Sequence, residues 1–287
     1  MNIDPSLFKV PAGEQVDLKK WPTEVKPCFK SKKDYQRKLT EHVQALSQQQ
    51  SLLYASNAYS ILLVVQGLDT AGKDGVIKHV MSGINPQGCE VFSFKQPSAE
   101  ELKHDFLWRT TCRLPERGRI GIFNRSYYEE VIIVRVHPEM LRTQGLPKEL
   151  LDKKTIWKDR YRSIVDLEDH LRRNGTQIIK VFLHLSKDEQ RKRLLERIDV
   201  PEKNWKASES DIMERKLWDQ YRKAYGACLS ATSTAATPWY VVPADDKKNA
   251  QLIVSRIILD TLEGLRMAFP HADKARQKEL KAIRKQL

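Results

Sequence analysis

Gly67-Leu68-Asp69-Thr70-Ala71-Gly72-Lys73-Asp74-Gly75 stands directly after the apolar run Ser60-Ile61-Leu62-Leu63-Val64-Val65-Gln66 and directly before a segment, Gly75 to Met81, that begins a helix. The run is continuously apolar and β-branched, as a parallel strand covered on both faces must be. The first seven residues after it satisfy G-x-x-x-x-G-K. That pattern curls backbone N–H groups around phosphate oxygens while the lysine reaches across them, and the next helix turns its positive end toward the anion. Gly67, Ala71, Gly72, Lys73, Asp74 and Gly75 are therefore candidate phosphate-binding positions. Asp74 stands where the motif usually has a Ser or Thr whose hydroxyl holds magnesium, which argues against an ordinary ATPase or GTPase. Asp69 is a carboxylate inside a loop built for anions. It repels them unless a cation lies between, so it is a candidate magnesium ligand or the group that orients an acceptor phosphate.

Outward from this junction the same alternation recurs. Ser31 to Tyr54 has Leu39, Val43, Leu46 and Leu53 at helical spacing. Glu90–Phe94, Arg119–Phe123, Gln177–Leu185 and Trp239–Val242 read as four further strands. Ser98 with Glu101 forms a capping-box pattern for a helix toward Thr111. Leu150 to Asn174 is a long helix stopped at Asn174-Gly175, and Ala250 to Leu265 makes the closing helix. Strands alternating with helices predict an α/β fold: a central, mostly parallel, five-stranded sheet with helices on both faces and its active loops at the carboxyl edge. With no internal repeat or low-complexity linker, residues 1–287 read as a single domain with extensions. These are an arm over residues 1–30 lying on the surface, a lid over about 186–215, and a basic tail over 271–287 that forms a solvated helix.

The chain has 50 Lys plus Arg against 37 Asp plus Glu, a formal charge of +13, which fits an anionic partner without choosing one. Cys28, Cys89, Cys112 and Cys228 form no CxxC pair, and His79, His104 and His184 have no zinc-like spacing. The N-terminus lacks a basic region followed by an apolar stretch, and no run approaches the length of a membrane span, so a cytoplasmic protein without membrane partner is expected. No zinc finger, homeodomain-like helix or aromatic platform points to specific nucleic-acid binding.

The third strand ends Phe123-Asn124-Arg125-Ser126-Tyr127-Tyr128-Glu129. A neighbouring strand end commonly carries the second contact of a phosphate-loop enzyme. The fork of donors on Arg125 suits phosphoryl oxygens; Asn124 offers an amide oxygen; Glu129 holds a metal-bound water, meets a nucleotide or merely caps a helix. Tyr127 and Tyr128 fill space under a helix on the plainest reading. After the fourth strand, Arg193 and Arg197 lie four apart on one helical face that Pro201 interrupts, as expected of a lid meeting an anion from consecutive turns.

In this order the motifs resemble the second polyphosphate kinase family, phosphate-loop kinases with a thymidylate-kinase-like core. The resemblance runs from roughly Tyr35 to Leu265 and includes Asn85-Pro86-Gln87-Gly88 and Glu101 to Arg109. It implies magnesium-dependent, reversible transfer of a terminal phosphoryl group between inorganic polyphosphate and a nucleotide, without a covalent enzyme intermediate. It implies that Asp69, Lys73 and Arg125 are catalytic, that Asp69 holds the metal, and that Arg193 and Arg197 are lid arginines. Lys78 joins Lys73, Arg125, Arg193 and Arg197 as a candidate channel residue. Asn124-Arg125-Ser126 with Tyr128-Glu129 resembles the subgroup acting on nucleoside monophosphates as well as diphosphates. A homo-oligomer is implied too, with Val131-Ile132-Ile133-Val134 available either to a second copy or to the monomer's own core. The competing readings are a diphosphate-only polyphosphate kinase, an ATP-dependent nucleoside or nucleotide kinase, and a non-catalytic polyanion binder.

Overall fold

The computed structural model describes residues 3–151 and 153–287, and the side chains of residues 153 and 154 are not described. Five strands form one sheet in the order β2-β3-β1-β4-β5, every pair parallel: β1 (Ser60–Gly67), β2 (Cys89–Ser93), β3 (Ile120–Asn124), β4 (Thr176–His184) and β5 (Trp239–Pro243). All eight residues of β1 are buried, because it lies between β3 and β4 and is covered on both faces.

The helices follow in chain order as α1 (Lys32–Ser56), α2 (Lys73–Val80), α3 (Trp108–Thr111), α4 (Glu129–Val136), α5 (Glu139–Arg142), α6 (Lys153–Arg173), α7 (Lys187–Asp199), α8 (Glu209–Lys216), α9 (Trp218–Thr232), α10 (Lys247–Gly264) and α11 (Lys274–Arg284). The period of two along the strands sorts the core into two layers. Ile61, Leu63 and Val65 pack with Ile179, Val181 and Leu183 beneath α1, α2 and α10. Leu62, Val64, Ile178 and Phe182 face α4, α6 and α9 on the other side. In an open sheet of this order, the crevice lies outside the carboxyl ends of the central strands, where Gly67 and Asn124 end β1 and β3.

Three expectations are corrected. The capping box at Ser98 forms, with the Ser98 N–H on Glu101 Oε2 at 2.7 Å and the Glu101 N–H on Ser98 Oγ at 3.2 Å, yet only a 3-10 turn, Glu101–Lys103, follows. His104 is extended, and Asp105 accepts the Leu107 N–H at 2.9 Å, a side-chain turn that competes with the helix and leaves α3 as a separate short piece. Second, the arm does not merely lie on the surface. Phe8, Val10 and Leu18 are buried, the Val10 N–H donates to the Trp239 carbonyl at 2.8 Å, and Lys9 bridges Tyr240 antiparallel, so the arm covers the edge that β5 would otherwise expose. Third, α10 begins at Lys247, because Asp246 caps it through the N–H groups of Lys248 and Asn249.

Val131, Ile132 and Val134 are buried in the core of the chain itself, and Ile133 is half-buried against it. The long helix expected from Leu150 is α6; residue 152 of that span, and Met1-Asn2 of the expected N-terminus, lie outside the described residues. The tail forms α11, exposed along its whole length. No described helix is long and apolar enough to cross a membrane.

Candidate active site

The loop between β1 and α2 is shaped by two glycines. Gly72, the residue before α2, has φ +97°, where a side chain is strained. A Cβ on Gly67 would meet Ala71 Cβ at 3.0 Å and the Leu183 carbonyl oxygen at 3.1 Å, so only glycine lets the strand turn there. Thr70 is held at φ +64° without that licence. The entry to α2 has no side-chain cap, and its first N–H groups are left for an anion.

Lys73 is buried beneath this loop, and its Nζ donates to the Gly67 carbonyl at 2.7 Å and the Leu68 carbonyl at 3.2 Å. Burial, with the positive charge of Arg125 nearby, lowers its pKa to about 8. Asp69 forms a two-pronged pair with Arg197, at 2.7 and 3.1 Å. Burial alone would raise the Asp69 pKa, but the hydrogen bonds and charge of Arg197 outweigh it and hold the carboxyl below its ordinary value. Arg197 also reaches Asp211 of α8 at 3.0 Å, so α7 and α8 are tied to the phosphate loop through one guanidinium.

Arg193 is 4% exposed and spends its donors on the backbone: the Thr70 carbonyl at 2.9 Å, Ala244 at 2.6 Å and Asp245 at 2.9 Å, with Glu189 beside it at 2.9 Å. At the end of β3, Asn124 Nδ2 donates to Asp74 Oδ1 at 2.6 Å, while Asn124 Oδ1 is buried without a hydrogen-bond partner. Thr70 Oγ1 is orphaned in the same way. Arg125, at φ +65°, faces Glu129 Oε2 at 3.6 Å. Burial raises the Glu129 pKa against the lowering charges of Arg125 and Lys73.

These groups border a cavity of about 620 Å³. Asp69, Ala71, Gly72, Lys73, Asp74, Gly75, Asn124, Arg125, Arg193 and Arg197 all line it. Three expected residues stand elsewhere. Lys78 is exposed and does not line the cavity, because α2 turns it away and presents His79 instead. Gly67 contributes only its carbonyl, to Lys73. Glu129 lines a second cavity of about 350 Å³, which also holds Phe94, Ile133, Val134 and Met140 and meets the first at Lys95, Gln96 and Arg125.

The sequence reading missed Lys95, Lys203, Lys206 and Lys247, which add positive charge to the larger cavity. Lys203 and Lys206 lay in the lid segment without a spacing to single them out, and Lys247 lay in a turn before the expected helix start. Tyr127 and Tyr128 are fully buried, and both hydroxyls donate to Glu168, at 2.9 and 2.7 Å, so they do more than fill space.

Cations from the phosphate loop, the end of β3 and α7 line one cavity, an arrangement able to hold phosphates. Known proteins resemble the chain as a whole. A family profile described as polyphosphate kinase 2 matches residues 29–270. The ADP-polyphosphate phosphotransferase of Rhodopseudomonas palustris is 61% identical over 287 residues, covering 100% of this chain and 99% of that one. The AMP/ADP-polyphosphate phosphotransferase of Meiothermus ruber is 45% identical over 233 residues, covering 81% and 83%. The crystal structure of polyphosphate kinase 2 from Arthrobacter aurescens TC1 superposes with a TM-score of 0.85 at 38% identity, covering 98% of this chain and 97% of that one. A phosphate loop on a parallel sheet, matched over nearly its whole length by such relatives, leaves one assignment: the chain is an enzyme of the polyphosphate kinase 2 family.

Proposed function

We propose that this chain moves the terminal phosphoryl group of inorganic polyphosphate onto ADP, and onto AMP as well. The observation that carries the reading is the meeting of two unlike cavities at Arg125. The larger brings together the cations Lys73, Arg197, Lys203, Lys206 and Lys247, and its apolar side chains, Ala71, Val76 and Ala250, are small, which suits a chain of phosphates. The smaller offers Phe94, Ile133 and Met140, apolar surface for a nucleoside.

Lys73 and Arg125 meet charge on the transferring group, and Arg193 keeps the loop in shape through its three carbonyls. The attacking atom is a phosphate oxygen that is already ionised, so the reaction asks for placement and charge rather than proton removal. A divalent cation, magnesium in our reading, fits the donors present: Asp69 and Asp74 supply carboxylates, and the buried, unpartnered Asn124 Oδ1 supplies a further oxygen. Bound there with substrate phosphates, it would neutralise their charge. Asp69 must then exchange Arg197 for the cation. Four cysteines without disulfides suit a cytoplasmic setting.

Purified protein given AMP, magnesium and polyphosphate, free of ATP and adenylate kinase, should form ADP first and ATP later. Ready ATP formation from ADP with none of either product from AMP would confine the enzyme to diphosphates. No product without ATP as donor would overturn polyphosphate as the phosphoryl source.

A further inference from the structure

Lys180 stands in the middle of β4, fully buried, on the face that carries Ile178 and Phe182. The reaction proposed above gives it nothing to do. Its Nζ donates to Glu168 Oε2 at 2.6 Å, to the Thr232 carbonyl at 2.7 Å and to the Tyr128 hydroxyl at 3.2 Å, which accounts for its three protons. Glu168, on α6 and 1% exposed, accepts both tyrosine hydroxyls on Oε1 and Thr237 Oγ1 on Oε2 at 3.2 Å. One ion pair thus joins the loop after β3, α6, β4, the end of α9 and the turn before β5.

Stability alone is a poor account of such a pair, since apolar residues of similar size often serve a core as well or better. What the pair holds is Tyr127 and Tyr128, the two residues between Arg125-Ser126 and Glu129. The left-handed backbone of Arg125 is strained and persists only where its surroundings overdetermine it. They do so here. The Arg125 N–H donates to the Val65 carbonyl at 3.1 Å, and Ser126 Oγ receives Gln66 Nε2 and the Tyr128 N–H, both at 3.2 Å. The next two side chains are pinned on Glu168.

We propose that Glu168 and Lys180 are positioning residues of phosphoryl transfer, fixing through Tyr127 and Tyr128 the strained turn that aims Arg125 at the junction of the two cavities. The inference rests on the reading that Arg125 meets the reacting phosphates. Misplacing such a donor by about 1 Å costs on the order of 100-fold in rate.

The test is a cycle in the full-length chain of Arg125→Lys, the paired replacement Glu168→Leu with Lys180→Met, and their combination, followed by polyphosphate-dependent ATP formation from ADP. The paired replacement leaves no buried charge unpartnered. It should keep the melting temperature within about 5 °C, lower kcat by about 10- to 100-fold and leave KM for ADP within about threefold. In the Arg125→Lys background, which already lacks the aimed guanidinium, the same replacement should cost less than about threefold. Wild-type kcat in the paired replacement, or losses that multiply independently in the combination, would overturn the positioning role. Wild-type kcat in Arg125→Lys would overturn the Arg125 reading instead. Should the paired replacement not fold, Tyr127→Phe with Tyr128→Phe keeps both rings, removes both hydroxyls and takes its place in the cycle with the same outcomes.

Discussion

At the scale of the residue, our proposal puts most of the chemistry on Lys73. It sits beneath a loop of carbonyls, donating to Gly67 and Leu68, and in the proposed reaction turns from them to phosphate. Replacing it with Ala should lower kcat by at least about 100-fold with the circular dichroism spectrum unchanged, because charge met only in the transition state is lost; a folded variant with more than half the parental rate would remove Lys73 from the mechanism. Its pKa of about 8, against 10.5 in an unfolded chain, has two consequences. Polyphosphate affinity should weaken as pH rises through about 8 and the ammonium is lost, with the break missing in Lys73→Met, as titration calorimetry at several pH values would show. Between that pH and the unfolded value the unfolded chain binds more protons at this residue, so the contribution of Lys73 to stability rises with pH across the window and is least favourable below it. Lysine 73 is therefore kept at some expense of stability at neutral pH, as expected of a functional group.

At the scale of the element, the segment from α7 to α8 splits the work of its two arginines. Arg193 is buried and bonded to three backbone carbonyls, so Arg193→Gln should destabilise the chain by on the order of 3 kcal/mol and lower the melting temperature by several degrees. Arg197 pairs with the side chains of Asp69 and Asp211, and in our proposal it is the one that exchanges partners when phosphate arrives. Arg197→Gln should leave the melting temperature nearly unchanged and lower kcat by about 10- to 100-fold, more than it weakens nucleotide binding. Equal losses in binding and turnover would make Arg197 a ground-state contact. Their i,i+4 spacing was visible in the sequence, but not that one guanidinium would be consumed by Thr70, Ala244 and Asp245. That depends on where the loop after β5 arrives. The segment from Ser98 to Thr111 teaches the same point in reverse: its cap is local and forms, whereas its length depended on the competing turn at Asp105.

At the scale of the whole molecule, the two ends of the chain differ. The arm buries Phe8, Val10 and Leu18 and covers the edge of β5, each apolar side chain contributing roughly 1.5–3 kcal/mol. Deleting residues 1–18 should lower the melting temperature by about 10 °C or more and promote association through the bared strand, read by scattering. Deleting residues from 271 onward removes α11, which buries nothing, and should move the melting temperature by less than about 1 °C. A large loss from the tail deletion would show that α11 is held by something the single chain lacks.

The sequence by itself determined what depends on neighbours along the chain. The apolar run before Gly67, the glycines and lysine of the loop, the alternation of strands and helices, and the Asn124-Arg125 strand end are short-range patterns, because φ, hydrogen-bond donors and side-chain period are properties of local stretches. Only the tertiary structure decided which faces meet. Lys180 reads in sequence as an interruption of a strand, and Glu168 as one charge on an amphipathic helix; their pairing, and its grip on the two tyrosines, arises because α6 and α9 pack on one particular face of β4. The docking of the arm, the burial of Arg193 and the junction of the two cavities have the same origin. Each is a contact between segments far apart in the chain, whose cost in ordering is met only when the whole core forms, and no local period records it.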